Sequence, residues 1–190
     1  MKVLEKNLNG IVLFEPEVFG DDRGYFSETF RQDEFENAIG HKVNFIQENE
    51  SKSSFGVLRG LHYQLPPFAQ SKLVRVIQGS VIDVAVDMRK GSPTFGQYVA
   101  IELSDENKHQ LFIPRGFAHG FVVTSDTAIF AYKVDNYYAP EFDRGIAYND
   151  PSVGIEWNID LDKILLSEKD MHHPRVKEEE LFNFEDNLYA

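Results

Sequence analysis

The sequence predicts a mainly β protein of 190 residues, an antiparallel jelly-roll barrel with a few short peripheral helices. Two features predict this fold class. Apolar and polar residues alternate with a period of two through the middle of the chain, as they do in half-buried strands. Short turn sequences rich in Gly, Pro, Ser, Asp and Asn separate the alternating runs, and several short strands at such spacing are typical of a sandwich or barrel.

Three alternating runs are the clearest predicted strands. The run from 81 to 88 has one wholly apolar face and places Asp83 on the other face. The runs from 98 to 103 and from 128 to 134 alternate in the same way, the second of them including Tyr132. Turn signals between the runs are Gln78-Gly79-Ser80, Lys90-Gly91-Ser92-Pro93, Ser104-Asp105-Glu106-Asn107 and Ser125-Asp126.

Two short helical segments are predicted. The first runs from Gln32 to Ile39 and ends at Gly40, because glycine readily adopts the left-handed conformation that closes a helix. The second begins at Ser167, which together with Asp170 forms the S-x-x-D pattern of a helix start.

The length suits one domain over 1–190. Its jelly-roll core is expected over roughly 14–150, followed after 160 by a helical segment and an acidic tail. The tail from Glu178 to Asp186 is rich in carboxylates and is predicted to be a solvated end.

The composition excludes several classes of function. A net charge of −12 argues against affinity for nucleic acid, whose phosphates require a basic surface. The chain has no apolar run of the about 18 residues that a membrane span needs. It has no cysteine, which excludes disulfides and thiol nucleophiles, and its N-terminus lacks the features of a signal peptide. The cytoplasm is therefore the expected location.

The stretch from Gly60 to Gly79 has the spacing of a β-barrel metal site, G-x-H-x-H…E-x6-G, with two ligands replaced. His62 is kept, but Gln64 stands in place of the second histidine and Lys72 in place of the glutamate. A matching segment, Pro-Arg-Gly-Phe-Ala-His, keeps His119. Since an ammonium group cannot ligate a cation, we expect no metal and no cofactor, and activity that survives chelation. The pattern favours a pocket that holds an anion and moves a proton.

Long ungapped segments resemble the dTDP-4-dehydrorhamnose 3,5-epimerase family of cupin-type jelly rolls. They are GDDRGYFSETF from Gly20, FIQENESKS from Phe45, VLRGLHYQLPPFAQSKLVRVIQGSVIDVAVDMRKGSPTFG from Val57, ENKHQLFIPRGFAHGF from Glu106, YKVDNYYAP from Tyr132 and NDPSVGIEW from Asn149. The likeness extends roughly from Phe14 to Asp170. It implies inversion at C3 and C5 of dTDP-4-dehydro-6-deoxy-D-glucose, which yields dTDP-4-dehydro-L-rhamnose, a step of dTDP-L-rhamnose biosynthesis.

The resemblance identifies His62 as the general base and Asp170 as the carboxylate that orients it. A ketone at C4 acidifies the protons on C3 and C5, and an imidazole with an unperturbed pKa of about 6.5 suits their removal. Two alternatives remain open from the residues alone. His62 could be a hydrogen-bonded core histidine, and Asp170 could simply close a capping box with Ser167.

The resemblance also identifies Tyr132 as the general acid and Lys72 as the cation that stabilises the enolate oxygen. The alternatives are a core or rim tyrosine and a solvated surface lysine.

Further residues are implied to bind the nucleotide and sugar. Arginine suits pyrophosphate oxygens, Phe26 and Tyr138 could stack on thymine, and His119 is either a sugar partner or a remnant of the metal site. Glu48 stands where the family more often has aspartate. The implied binding residues are Arg23, Phe26, Glu28, Gln47, Glu48, Asn49, Arg59, His119, Tyr138, Asp143 and Lys169.

Three rival functions are weighed. The first is a single-site epimerase or a ketoisomerase acting on a related dTDP-4-keto sugar, which needs the same base and acid. The second is a metal-dependent cupin enzyme, and the third is a non-catalytic sugar-nucleotide binding module. The resemblance further implies a homodimer in which the segment around Arg23 reaches the partner's pocket, with no nucleic acid or membrane as partner.

Overall fold

The computed structural model describes residues 1–8, 10–176 and 180–190. Its strands are, in chain order, β1 (Lys2–Asn7), β2 (Ile11–Glu15), β3 (Val18–Asp21), β4 (Gly24–Ser27), β5 (Gln47–Ser54), β6 (Leu58–Gln64), β7 (Lys72–Gln78), β8 (Ser80–Asp87), β9 (Arg89–Lys90), β10 (Tyr98–Ser104), β11 (Gln110–Ile113), β12 (Phe117–Val123), β13 (Thr127–Val134), β14 (Asp143–Gly145) and β15 (Phe182–Asn183). The helices are α1 (Gln32–Ile39) and α2 (Glu168–Met171). The three strands predicted from alternation and both helical segments are confirmed.

Within the described residues, two antiparallel sheets pack face to face and form the barrel. One has the strand order β1-β2-β11-β7-β13-β5, and the other has the order β10-β8-β12-β6-β14. Consecutive strands such as β6 and β7 belong to different sheets, so the chain crosses repeatedly between the sheets, as it does in a jelly roll. The predicted mainly β jelly-roll barrel is confirmed.

Three layers of apolar side chains bury several strands on both faces. Val74, Phe121 and Phe130 lie between the two sheets. The outer face of the sheet that contains β8 and β12 is covered by the chain from about residue 146 onward, and Trp157 packs in this layer. Outside the other sheet, Phe35 of α1 packs on β2 and β11. Strand β8 is therefore covered on both sides, and its wholly apolar face turns outward to the Trp157 layer.

The ends of the helices follow from local sequence. The chain leaves α1 at Gly40 with φ of 85°, and its N–H donates to the carbonyl of Glu36. Helix α2 begins at Ser167, whose hydroxyl accepts a hydrogen bond from the N–H of Asp170. Among the described residues, we find no helix with the length and apolar character needed to cross a membrane.

The C-terminal tail differs from the prediction of a solvated end. Glu178 and Glu179 lie outside the described residues, and the carboxylates that follow them are exposed. Phe182, however, is only 3% exposed, and β15 pairs in parallel with β9. The solvated-end prediction is wrong for this segment, because its apolar side chains bury surface against the barrel. The sheet also begins at Lys2, well before the expected core boundary near residue 14.

Candidate active site

A bulge in β6 turns two polar side chains of the central motif into the same cavity. Between His119 and Phe121 strand β12 advances two residues, while β6 uses three to go from His62 to Arg59. The extra residue falls beside Gly60, where φ is +123° and a Cβ would lie 2.6 Å from a backbone Cα of β12. Glycine is required by this close approach. Without the bulge, Arg59 and His62 would lie on opposite faces of the strand.

His62 forms a short contact with a carboxylate from the C-terminal segment. Its Nε2 lies 2.6 Å from Oδ1 of Asp170, whose side chain is 5% exposed. The other carboxylate oxygen, Oδ2, accepts a hydrogen bond of 2.7 Å from the hydroxyl of Ser167. The same hydroxyl accepts from the backbone N–H of Asp170. The two oxygens thus divide the two roles that the sequence left as alternatives, since one faces the histidine and the other the helix start.

The opposite wall of the cavity comes from the other sheet. Tyr132 lies on β13 beside Phe130, with ring centroids 6.1 Å apart, and its cross-strand partner on β5 is Asn49. Gln47 donates to Oδ1 of Asn49 at 2.8 Å and so orients that amide. Lys72 begins the neighbouring strand β7. The imidazole and the tyrosine therefore face the same cavity from opposing sheets.

The protonation states follow from burial and from the neighbouring charges. Burial lowers the pKa of His62, against the raising effect of Asp170, so the imidazole is neutral at neutral pH. Burial alone would raise the pKa of Asp170, but the two imidazoles of His62 and His173 and the Ser167 hydroxyl together lower it well below its usual range. Burial lowers the pKa of Lys72 to about 8 and raises that of Tyr132. A neutral imidazole and a protonated phenol thus face each other at neutral pH.

These groups line two adjoining cavities of 430 and 490 Å³ that share Glu50, His62, Lys72, Tyr132 and Lys169. The remaining predicted site residues around them are Arg59, His119 and Asp170 in the first cavity and Gln47, Asn49, Tyr138 and Asp143 in the second. At the outer cavity, Asp143 accepts a hydrogen bond from the hydroxyl of Tyr138 at 2.9 Å and forms an ion pair with Lys169.

Four predicted binding residues do not line either of these cavities. Arg23, Phe26 and Glu28 are exposed on or next to the β3–β4 hairpin, and Arg23 pairs there with Asp21. Glu48 lies on the outer side of β5, where it forms an ion pair of 2.9 Å with Lys133. This chain by itself does not bring these residues to the cavity. For Glu48 the reason is the strand period of two, which sends it to the face opposite Gln47 and Asn49.

Sequence reasoning missed a buried acid behind the cavity. Asp83 of β8 is fully buried, and its Oδ2 lies 2.9 Å from Nε2 of His119. Burial raises the pKa of Asp83 and lowers that of His119, whereas the charge of each residue shifts the pKa of the other in the opposite direction. An aspartate in the middle of the apolar run of β8 was the available signal, since a buried carboxylate requires a partner.

Gln64 has a role that the metal-site comparison did not suggest. Its amide Nε2 donates to the carbonyls of Phe68 and Tyr137, and its Oε1 accepts from the N–H of Ala139. The side chain is 3% exposed and satisfies backbone groups of two loops at once. One of these loops carries Tyr138, which lines the second cavity, so Gln64 stabilises that part of the cavity wall.

A cupin-type barrel with an imidazole–carboxylate pair facing a tyrosine and a lysine defines the class of cupin epimerases. The family model described as dTDP-4-dehydrorhamnose 3,5-epimerase matches residues 5–178. The chain belongs to the dTDP-4-dehydrorhamnose 3,5-epimerase family. It is an isomerase with the activity of that family, acting in dTDP-rhamnose biosynthesis.

Individual relatives agree over most of the chain. It is 53% identical over 182 residues to dTDP-4-dehydrorhamnose 3,5-epimerase of Shigella flexneri, covering 96% of this chain and 99% of the relative. It is 56% identical over 170 residues to the Pseudomonas aeruginosa enzyme of the same name, covering 90% and 93%. Among solved structures, the dTDP-6-deoxy-D-glucose-3,5-epimerase of Legionella pneumophila in complex with dTDP-4-keto-L-rhamnose is 44% identical. Its TM-score is 0.93, with 97% of this chain and 99% of that chain covered.

Proposed function

We propose that the chain binds dTDP-4-dehydro-6-deoxy-D-glucose in the joined cavities and inverts C3 and C5 through enolate intermediates. The observation that carries the mechanism is the opposition of the His62–Asp170 pair and Tyr132 across one cavity from two sheets. Inversion requires proton removal on one face of a carbon and proton delivery on the other. Groups that face each other from opposing walls meet this requirement.

In the proposed first step, neutral His62 takes the proton from the carbon next to the ketone. The electrons of the broken C–H bond form a double bond between that carbon and C4 of the sugar. The π electrons of the C4 carbonyl move to its oxygen, which becomes an enolate oxygen. Asp170 stabilises the imidazolium that forms and holds the ring by its 2.6 Å contact with Nε2. The carboxylate stays ionised throughout, since its pKa is lowered far below neutral.

In the proposed second step, the hydroxyl of Tyr132 delivers a proton to the opposite face of the same carbon. The ammonium of Lys72 stabilises the enolate oxygen between the two steps, as a preorganised charge in a partly dry cavity. Exchange of protons with solvent restores His62 and Tyr132, after which the second carbon undergoes the same sequence. Both steps balance without a metal or an external oxidant.

Turnover in deuterated water, followed by NMR of the product, tests the assignment. The wild type is expected to carry deuterium at both C3 and C5, whereas label at one carbon alone would indicate the single-site alternative. His62→Asn should lose roughly 10²–10⁴-fold in turnover while still binding dTDP. Exchange by this variant at the wild-type rate would show that another group is the base.

Tyr132→Phe tests the acid. This variant should incorporate deuterium from the solvent without efficient inversion of C3 or C5, and normal inversion would assign the acid role to another group.

We further propose that the enzyme is a homodimer in which the β3–β4 hairpin completes the pocket of the partner. Phe19, Tyr25 and Phe26 of this hairpin are 55%, 63% and 69% exposed, an apolar surface that a second copy would cover. Arg23 at its tip would then supply a cation for the pyrophosphate.

Paired variants test the dimer. When Arg23→Ala and His62→Asn chains are co-expressed with different tags, each mixed dimer should contain one pocket with an intact base and an intact arginine. Purified mixed dimers should therefore regain turnover that both parent homodimers lack. If Arg23 serves its own pocket, the mixed dimers will stay as inactive as the parents.

A further inference from the structure

A buried histidine next to the proposed dyad has no role in the mechanism. His173 follows α2, and its side chain is 8% exposed. Its Nε2 is buried and lacks a hydrogen-bond partner among the described residues. That nitrogen lies 3.3 Å from Oδ1 of Asp170, the same oxygen that contacts His62. A buried ring nitrogen without a partner is costly, so its environment calls for an explanation.

Packing holds the His173 ring in this position. A Cβ at Gly145 would lie 2.4, 2.5 and 2.6 Å from Cε1, Nε2 and Nδ1 of the ring, so the imidazole rests directly against the backbone of β14. The ring of His62, the strand partner of Gly145, also contacts it, with centroids 5.3 Å apart in an edge arrangement. Little freedom is left for the ring to turn its nitrogen elsewhere.

The cluster has the composition of a transition-metal site. Nε2 of His62, an oxygen of Asp170 and Nε2 of His173 all lie within 4.8 Å of one another. We propose that these three residues bind Zn²⁺ reversibly, and that the bound ion inhibits the enzyme. Two imidazoles and a carboxylate are ordinary zinc ligands, and tetrahedral bonds of 2.0–2.1 Å place ligand atoms roughly 3.3 Å apart.

This cluster differs from the metal-site spacing found in the sequence, where Lys72 occupies a ligand position. Here one of the ligands is itself an anion, and the adjacent Lys169 is already paired with Asp143. Both conditions favour cation binding.

Inhibition follows from the tautomer of His62 and so rests on the proposed function. In the proposed resting state, Nε2–H donates to Asp170 and the lone pair on Nδ1 serves as the base. A zinc ion on Nε2 displaces the hydrogen from that nitrogen and binds its lone pair, so a ring that stays neutral must carry its hydrogen on Nδ1. Such a ring cannot accept the substrate proton. Zinc would also separate His62 from Asp170, which otherwise stabilises the imidazolium.

The test is a titration of the zinc-free enzyme with zinc chloride, followed by calorimetry and by turnover. We expect one zinc per chain with micromolar affinity, inhibition over the same concentration range, and full recovery on addition of EDTA. Cobalt chloride should give the visible absorption of a tetrahedral Co²⁺ site. His173→Phe keeps a ring but no ligand atom and should weaken zinc binding at least about tenfold. His173→Gln serves as a second variant if the phenylalanine disturbs the fold.

His172→Phe is the matched control, because His172 is exposed and points its Nδ1 at the carbonyl of Glu168. Each variant is compared with its own zinc-free turnover. Equal zinc affinity of wild type and both His173 variants, or wild-type binding only at millimolar zinc, would overturn the site. Stoichiometric binding that depends on His173 but leaves turnover unchanged would overturn the inhibition and the assignment of His62 as base, while the site itself would stand.

Discussion

Asp170 illustrates how one carboxylate can contact a helix start and the proposed catalytic base together. The S-x-x-D pattern and the family resemblance pointed to different roles, and the structure gives one carboxylate oxygen to each. Oδ1 lies 2.6 Å from His62, and Oδ2 accepts from Ser167. Because the carboxylate is 5% exposed, both contacts are shielded from water and hold the group in one orientation.

Asp170→Asn is expected to lower turnover, but by less than the loss of His62, since the base remains while its orientation and charge support are removed. Ser167→Ala is the matched control. It removes the cap and the Oδ2 contact and should destabilise the fold by about 1 kcal/mol, with turnover per folded molecule largely kept. The measurements are steady-state rates and thermal unfolding of both variants. A purely structural Asp170 would give the reverse pattern, with a lower melting temperature and normal turnover.

The lowered pKa values of His62 and Lys72 predict a bell-shaped pH profile of kcat/KM. His62 must be neutral, so kcat/KM should rise with pH through a pKa below the usual value of about 6.5. Lys72 must be protonated, so kcat/KM should fall as pH rises through about 8. Lys72→Met should lower kcat more than it raises KM and should abolish the alkaline limb. The wild type is the reference, and persistence of the limb in Lys72→Met would assign it to another group.

At the scale of the strand, the bulge in β6 decides what the cavity contains. One additional residue brings Arg59 and His62 to the same side, although simple alternation would separate them. The motif could be read from the sequence, but the bulge could not, since it is defined by pairing with β12. Gly60 was the only local sign of it, and an isolated glycine in a strand is compatible with several causes.

Gly60→Ala is expected to unfold the site, because a Cβ there would lie 2.6 Å from the backbone of β12 at φ of +123°. The matched control is Gly40→Ala, which has φ of +85° but no atom within 4 Å of the added Cβ. The control should lose about 1 kcal/mol from backbone strain, and Gly60→Ala clearly more. Thermal unfolding of both variants measures the difference. Equal melting temperatures would mean that β6 and β12 accommodate the side chain and that the bulge does not depend on glycine.

At the scale of the whole molecule, the C-terminal tail is hydrogen-bonded to the residue before β7, the strand that carries Lys72. The hydroxyl of Tyr189 lies 2.8 Å from that of Ser71, the residue before Lys72, and accepts from the N–H of Arg115. Asp135 accepts from the N–H of Ser71 and from Arg115. Ser71 is fully buried, so this network fixes the beginning of β7 from behind the cavity.

Deleting residues 181–190 should destabilise the fold, since burial of Phe182 alone stabilises it by about 1.5–3 kcal/mol. Tyr189→Phe, which removes only the hydroxyl contacts, should lose about 1 kcal/mol. Thermal unfolding of both variants against the full chain is the measurement. A truncated chain with unchanged stability would show that the tail contacts contribute nothing and would restore the prediction of a free, solvated end.

Local patterns in the sequence determined the strands, the helix ends at Gly40 and Ser167, and the motif containing His62, because each depends on residues only a few positions apart. The tertiary structure decided which side chains meet. It placed Asp170 and His173 beside His62. These outcomes depend on strand pairing, on the bulge and on the return of the C-terminal segment across the barrel, which join residues far apart in the chain, such as His62 and Asp170 at a separation of 108 positions. No local pattern contains that information, since the free energy that selects the pairing arises only when both sheets pack.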